Sequence, residues 1–523
     1  MFLKNSFNYI NEFFYIFKNQ LRKIYLNSSI YNKKISRVYE NDLVYQPRLN
    51  ILSLLIKYEK QKKKIEDFNI QSIWENSDLT YSDFKKLHSF YWLFTIDLKS
   101  SNKVTQSIII NWIKKNQNYE TKSWEIDILS KRVIAWIANS KITYDESDGN
   151  YKNIFNEIVS KQVNHLINEI DRSSDLNDKM IGCTAIIVSG IAYKNNKFLE
   201  YGLDLLKKII NTSFDNNYFP KSRSIRQMIF YLKYFILIRE LLKDSLNDIP
   251  EYLDEIIFYL GKSYDFFWGS LKQSLLFNGN NNSNNKDFDK YLSLFRYKFK
   301  NDKNDISGYT ILKNKNTILA MDTGNNPAKD YSENYQSGPL SFEFFFKDEK
   351  LITNSGYFQN HEHQLNKISK SSAAQSTLIL DNSSSCNFKK KSNGPMLVSK
   401  GFKTFDKQVN FEKDYWSIKC SHDGYLSRYG VIHQRTLEFS TDKNILIGKE
   451  KLIKKNNFKI TNFEIRFHIP PNIKVTKLQN DKSILIELEN SGWRFFSNDG
   501  LVGVETGLYF GNKNNYIENQ NIF

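Results

Sequence analysis

"FNGNNNSNNKDFDK", residues 277–290, is where the pattern of the chain changes. Asn, Asp, Ser and Gly dominate it, which is loop chemistry of low complexity. Up to about residue 280 the apolar residues recur at helical spacing. Leu199, Leu203, Leu206 and Ile210 form one stripe, and Leu253, Ile256, Ile257 and Leu260 form another. "YLKYFILIRELLKDSL" (231–246) is apolar on most faces, as an inner helix of a multi-helix array would be. Beyond the junction the period becomes two. "GYTILKNKNTILAMDTG", "YWSIKCSHDGY", "NFEIRFHI" and "SILIELENSGWRFFS" read as strands bounded by Gly, Asn, Asp and Pro. The pattern predicts a multi-domain α+β chain: a helical domain over 1–280, a linker over 281–300 and a β domain over 301–523. No fixed-length repeat is visible, so a regular solenoid is not indicated. Ligands favour the cleft between such domains.

The totals agree with two large cores. The chain has 523 residues, 40% hydrophobic and 15% aromatic, which excludes a disordered polymer. Its net charge of +17 suits an acidic partner: an anionic polysaccharide, a nucleic acid or an anionic membrane surface. Lys is spread along a chain rich in Lys, Asn and Ile, so compositional background explains the same charge. Cys183, Cys386 and Cys420 are too few and too scattered for a disulfide framework, and no CxxC supports a zinc ribbon. At the N-terminus Ile10, Phe13, Phe14, Phe17 and Leu21 recur at helical spacing without an apolar signal core. That spacing predicts a docked amphipathic helix rather than a leader or a surface anchor. Nothing later is long and apolar enough to span a bilayer, so the expectation is a soluble chain, cytoplasmic by sequence.

Four stretches of the β half concentrate specific polar groups: 321–344, 351–358, 370–382 and 420–439. The last holds His422, Asp423, Tyr425, His433 and Arg435. A His and a Tyr near an Arg could supply base, acid and carboxylate clamp; the same residues could equally be satisfied strand and turn residues. Asp423-Gly424 is good turn chemistry, and His433 and Arg435 share one face of a strand. "HEH" (361–363) lacks a nearby third ligand and reads as a solvated loop. In "KSSAAQSTLILDN" (370–382), Gln375 is the one long polar side chain ahead of the strand, and its purpose is not evident from the residues alone.

Taken in order, several segments resemble the heparinase II/III-like family of polysaccharide lyases. They are "WEIDILSKRVIAWI" (124–137), "FDNNYFPKSRS" (214–224), "LLFNGN" (275–280), "GPLSFEF", "SAAQSTL", "SHDGYLSRYGVIHQR", "IRFHIPP" (465–471) and "GWRF" (492–495). The resemblance implies an incomplete (α/α) toroid followed by an antiparallel β-sandwich. It also implies β-elimination on an acidic, uronate-containing polysaccharide. Such a reaction needs the uronate carboxylate neutralised, a base for the adjacent C–H and an acid for the leaving oxygen.

Carried over residue by residue, the family pattern is degenerate here. Asn334 falls where a sandwich His is expected, and an amide exchanges no protons near neutral pH. Gln336, Asn354 and Gln375 fall at positions where several members hold a structural zinc with His, Asp and His. The resemblance therefore implies no metal, with the three neutral amides free to hydrogen-bond one another. Asn177 matches the carboxylate-neutralising Asn, with a helix N-cap as the alternative. The family Tyr falls near Gln227, with Tyr218 the nearest alternative. The expected catalytic set is Asn177, Tyr218, His422, Tyr425 and His433. Arg223, Arg226, Arg435, Asn334 and Gln336 are expected at the substrate. Two functions stay open: a weak or inactive lyase, or a non-catalytic acidic-glycan or cell-envelope protein on the same scaffold, in which case the periplasm or envelope is the alternative compartment. No nucleic-acid module is found.

Overall fold

The computed structural model describes residues 17–37, 42–55, 74, 79–95, 102–269, 271–390, 394–455, 458, 462–478, 482–489, 491–512 and 515–523. These fall into two compact units: residues 1–212 with 233–254, and residues 213–232 with 255–523.

The first unit is helical. The helix Ile126–Ala138 is buried along nearly its whole length and packs against the helices Gly149–Glu169 and Leu176–Ala192. Its one interior cation, Arg132, stacks over the Trp112 ring at 4.0 Å. That guanidinium donates to Gln162 Oε1 (3.0 Å) and to the carbonyls of His88 (3.0 Å) and Ser123 (2.9 Å). Buried charge is tolerated because these acceptors replace water. Gly190 lets the next helix approach: a Cβ there would lie 2.6 Å from the Leu199 backbone nitrogen. Of the N-terminal helix, Ile10, Phe13 and Phe14 lie outside the described residues. Leu21 leaves 51% of its surface exposed, and the helical segment is instead tied down by the Arg22–Glu169 ion pair. No helix among the described residues is long and apolar enough to cross a membrane.

Among the described residues the second unit carries nineteen strands, numbered in chain order. β1 (Asp305–Ile306), β2 (Tyr309–Lys313), β3 (Thr317–Asp322), β4 (Phe342–Phe346) and β5 (Glu349–Ile352) form one antiparallel sheet in chain order. β9 (Thr404–Phe411), β10 (Tyr415–His422), β11 (Val431–Ser440) and β12 (Ile445–Lys454) form a second antiparallel sheet. Smaller sheets and pairs complete the unit. Alternation puts Trp416, Ile418, Leu437 and Phe439 into one core with Leu319, Phe342 and Phe344. The period-two reading of this half and the helical reading of the first are both realised.

The asparagine run behaves differently from its loop-like sequence. Asn278, Asn280, Asn281 and Asn285 are buried. Asn281 Nδ2 donates to the carbonyls of Tyr357 and Phe510, both at 2.7 Å, and Asn278 Nδ2 donates to Asp322 (2.9 Å). The Gly279 N–H donates to Gln336 Oε1 (3.0 Å). Short amides suit this position because each carries donor and acceptor into places where a strand ladder cannot reach. The run is a strap sewn into the β unit, followed at once by the helix Lys286–Leu294.

Candidate functional site

β10 and β11 pair with His422 opposite His433, and β11 and β12 pair with Arg435 opposite Glu450. The Gly424 N–H donates to His422 Nδ1 (3.0 Å), so the His422 proton resides on Nε2 and is donated to His433 Nδ1 (3.0 Å). His433 Nε2 then donates to Glu450 (2.6 Å). Arg435 Nε donates to the other Glu450 oxygen (2.5 Å), and its Nη1 donates to the carbonyls of Leu340 (2.8 Å) and Ser376 (2.7 Å). His422, His433 and Arg435 are 0% exposed. Burial pushes both histidines below their ordinary value, with Glu450 opposing it at His433. Burial works to raise the Glu450 carboxyl, but Arg435 and the bond from His433 outweigh it and hold it low. Tyr425, also buried, donates its hydroxyl to the Leu378 carbonyl (3.0 Å). These groups meet as an internal chain, and Arg435 is already clamped on a carboxylate of its own protein, with its Nη2 buried and unpartnered.

The three amides lie in one neighbourhood, but among the described residues none bonds to another. Gln336 Nε2 donates to the carbonyls of Gly356 (2.9 Å) and Ser369 (2.6 Å), while its oxygen takes the Gly279 N–H. Asn354 Oδ1 accepts the Ser376 N–H (2.9 Å), and its own N–H donates to Glu343 (3.0 Å). Gln375 Nε2 is buried with no hydrogen-bond partner. The expected amide–amide network is therefore corrected: main-chain groups compete for these side chains and win. Replacing Gln375 with Leu is expected to change stability by less than about 1 kcal/mol, because no bond is lost. Gln336→Leu is expected to cost about 2–3 kcal/mol, since it strands three buried main-chain groups. Urea unfolding midpoints of the two variants check the contrast.

A second polar cluster was not legible in the sequence. The half-exposed Glu333 carboxylate pairs with His361 Nε2 (2.9 Å); "HEH" is otherwise the solvated loop its sequence suggests, with Glu362 and His363 exposed and His363 capping the helix Gln364–Ser369 through Nδ1. The bond from His361 holds the Glu333 carboxyl below the usual carboxylate range, and Lys370 and Arg226 add to it. Lys370 is buried, and Nζ donates to the carbonyls of Glu333 (2.5 Å), Tyr335 (3.2 Å) and Met396 (3.2 Å). Burial lowers its ammonium to about 7. Asn334, between these groups, is partly exposed.

The remaining sequence candidates are dispersed. Tyr218 sits at φ 58°, stacks on Tyr259 at 4.5 Å and donates its hydroxyl to Glu255 (2.6 Å). Arg223 is buried in a two-pronged pair with Asp322 (2.7 and 3.4 Å) and donates Nε to the Ser307 carbonyl (3.1 Å), which leaves it no free fork for a substrate. Arg226 is partly buried, and burial lowers its guanidinium. Asn177 belongs to the helical unit. The cap there is Asp175, whose carboxylate accepts the N–H groups of Asn177 (2.7 Å) and Asp178 (3.4 Å). Burial, with Asp175 nearby, raises the Asp178 carboxyl to about 7.

Residues 302–523 match the family model for the C-terminal region of heparinase II/III-like proteins. This region is a heparinase II/III-like C-terminal domain. The chain shares its fold with a heparinase III gene product over 92% of its own length and 84% of that one, with TM-score 0.68 and 14% identity. It likewise shares the fold of heparan sulfate lyase HepC from Pedobacter heparinus: TM-score 0.63, 12% identity, 94% and 82% of the two chains. FtsZ-localized protein C of Caulobacter vibrioides is 26% identical over 211 residues, 37% of this chain and 35% of that protein, so the match spans about a third of the relative's length.

The residues at the positions where, by the resemblance, several heparinase II/III-like proteins hold zinc do not fit that ion. Among the described residues no three His, Cys, Asp or Glu side chains converge as a metal requires. Gln336 and Asn354 spend their oxygens on main-chain N–H groups, and the unpartnered Gln375 atom is an N–H donor. The carboxylate nearby, Glu343, is consumed by Lys350 (2.8 Å) and by the Asn354 and Leu276 N–H groups. His468 likewise turns inward, with Nε2 donating to the Ala373 carbonyl (3.0 Å) and Nδ1 accepting from Ser355 (3.1 Å). Burial pushes it down to about 4 from 6.5. Between those values an unfolded chain binds a proton that the folded chain does not, so stability falls as pH falls through that window. We expect urea midpoints to drop from pH 6.5 to 4, and a His468→Gln variant to show a shallower drop. A slope identical in both proteins contradicts this.

Proposed function

We propose that this heparinase II/III-like protein engages an acidic, uronate-containing polysaccharide, and that its capacity for β-elimination is weak or absent and independent of zinc. One observation carries the second clause. All six ring nitrogens of His422, His433 and His468 have partners inside the protein, leaving no proton to exchange with a bound sugar. Support for the first clause comes from the matched domain, the shared fold and the net charge of +17. Sedimentation of the purified chain with heparan sulfate, chondroitin sulfate, hyaluronan and alginate is expected to give salt-sensitive binding without shortening of the glycan. Binding to none of them, or rapid depolymerisation of one, overturns the respective clause.

The relative named for its localisation with FtsZ supports a second reading, a cell-associated scaffold without turnover. A fluorescently tagged chain concentrated at the division site, with no acidic glycan bound in solution, favours that reading over the first.

A further inference from the structure

The β-sandwich unit holds a polar cavity of about 210 Å³ lined by Ser385, Asn387, Lys400, Gly424, Ser427 and Arg428. Three segments build it. β7 (Asn387–Lys390) and β8 (Met396–Lys400) pair as a hairpin that brings Asn387 opposite Lys400. The β10–β11 connection then lays Gly424 and the short helix Leu426–Tyr429 beside them. Ser385 forms the buried end, fixed by hydroxyl bonds to Ser337 (2.9 Å) and Ser372 (3.4 Å).

Both cations of this cavity rest on neutral partners. Lys400 Nζ donates to Ser427 Oγ, and Arg428 Nη2 donates to Asn387 Oδ1, both at 2.5 Å. Among the described residues neither forms an ion pair with a carboxylate. Asp423, the acid adjacent to Gly424, turns its Oδ1 to the Lys403 N–H (2.7 Å). The pocket is open, with Lys400 and Arg428 exposed to solvent, and an ammonium and a guanidinium side by side without a counter-charge make it locally positive. A compact oxyanion offsets that charge and takes bidentate hydrogen bonds from the Arg fork. The pocket lacks an apolar wall for an acyl or aromatic group, so recognition here runs through charge and hydroxyl donors.

We propose that this pocket is a binding subsite for one oxyanion group of an acidic glycan, a sulfate ester or a carboxylate, with Lys400 and Arg428 as its cationic donors. It rests on the glycan reading above and adds its position on the chain.

The full chain is titrated with inorganic sulfate, with heparan sulfate and with unsulfated hyaluronan, as wild type and as Lys400→Ala, Arg428→Ala and Arg428→Lys variants. Loss of either cation is expected to weaken glycan binding about tenfold, the order of one charge-assisted contact. Arg428→Lys is expected to recover part of it. Weakening confined to heparan sulfate assigns a sulfate ester, whereas equal weakening on both glycans assigns the carboxylate. Unaltered glycan affinity in both alanine variants overturns the subsite while leaving the glycan reading intact. Arg428-dependent sulfate binding without any glycan affinity supports the pocket and overturns the glycan reading instead. Matching thermal unfolding of variants and wild type shows that a lost fold is not the cause.

Discussion

Replacing Arg435 with Ala is expected to destabilise the β-sandwich unit by about 3–5 kcal/mol, because it leaves Glu450, whose side chain is only 13% exposed, charged beside a neutral His433. The same change removes the donors to the Leu340 and Ser376 carbonyls, which join the segment leading into β4, the Gln375 segment and β11. A role at the substrate makes a different forecast, in which stability stays near wild type and glycan binding collapses. Denaturant unfolding followed by Trp fluorescence separates the two, since Trp416 lies in this core. A double variant, Arg435→Met with Glu450→Gln, is expected to recover much of the loss, because no charge then remains unpaired. A single-variant cost below about 1 kcal/mol contradicts the internal-network assignment.

Glu343→Ala is expected to cost a similar amount, about 3–5 kcal/mol. Glu343 is 0% exposed and compensates Lys350 at 2.8 Å, while its other oxygen accepts the N–H groups of Leu276 (3.1 Å) and Asn354 (3.0 Å). Losing it leaves the Lys350 ammonium without its counter-charge, held only by the Ser274 carbonyl (2.7 Å), and strands two main-chain donors. Lys350→Met in the Glu343→Gln background is expected to be milder than Glu343→Ala, which calorimetry of the three variants tests. Glu343 accepts the Asn354 N–H, and Lys350 balances its charge.

The change of hydrophobic period at residues 277–290 made both halves legible, because periodicity is a local property that each segment carries by itself. The shared face of His433 and Arg435 was legible for the same reason. Their partner Glu450 was not, since it depends on the register of β11 against β12. The asparagine strap misled for a related reason. A run of short amides is loop-like locally, yet its bonds run to Tyr357 and Phe510, far along the chain. The pairing of half-exposed His361 with Glu333 was not legible, because Glu333 is 28 residues earlier in the chain. Gln375 gains no partner for its buried nitrogen, so it takes no part in the expected amide network, and nothing local in the sequence signals that.

The most direct test follows the ultraviolet absorbance of unsaturated uronate while the purified chain is incubated with heparan sulfate, hyaluronan and alginate, with added zinc and separately with a chelator. The account predicts bound glycan and no rise in absorbance above a very slow drift, identical in both conditions. Sustained product formation that the chelator abolishes contradicts it.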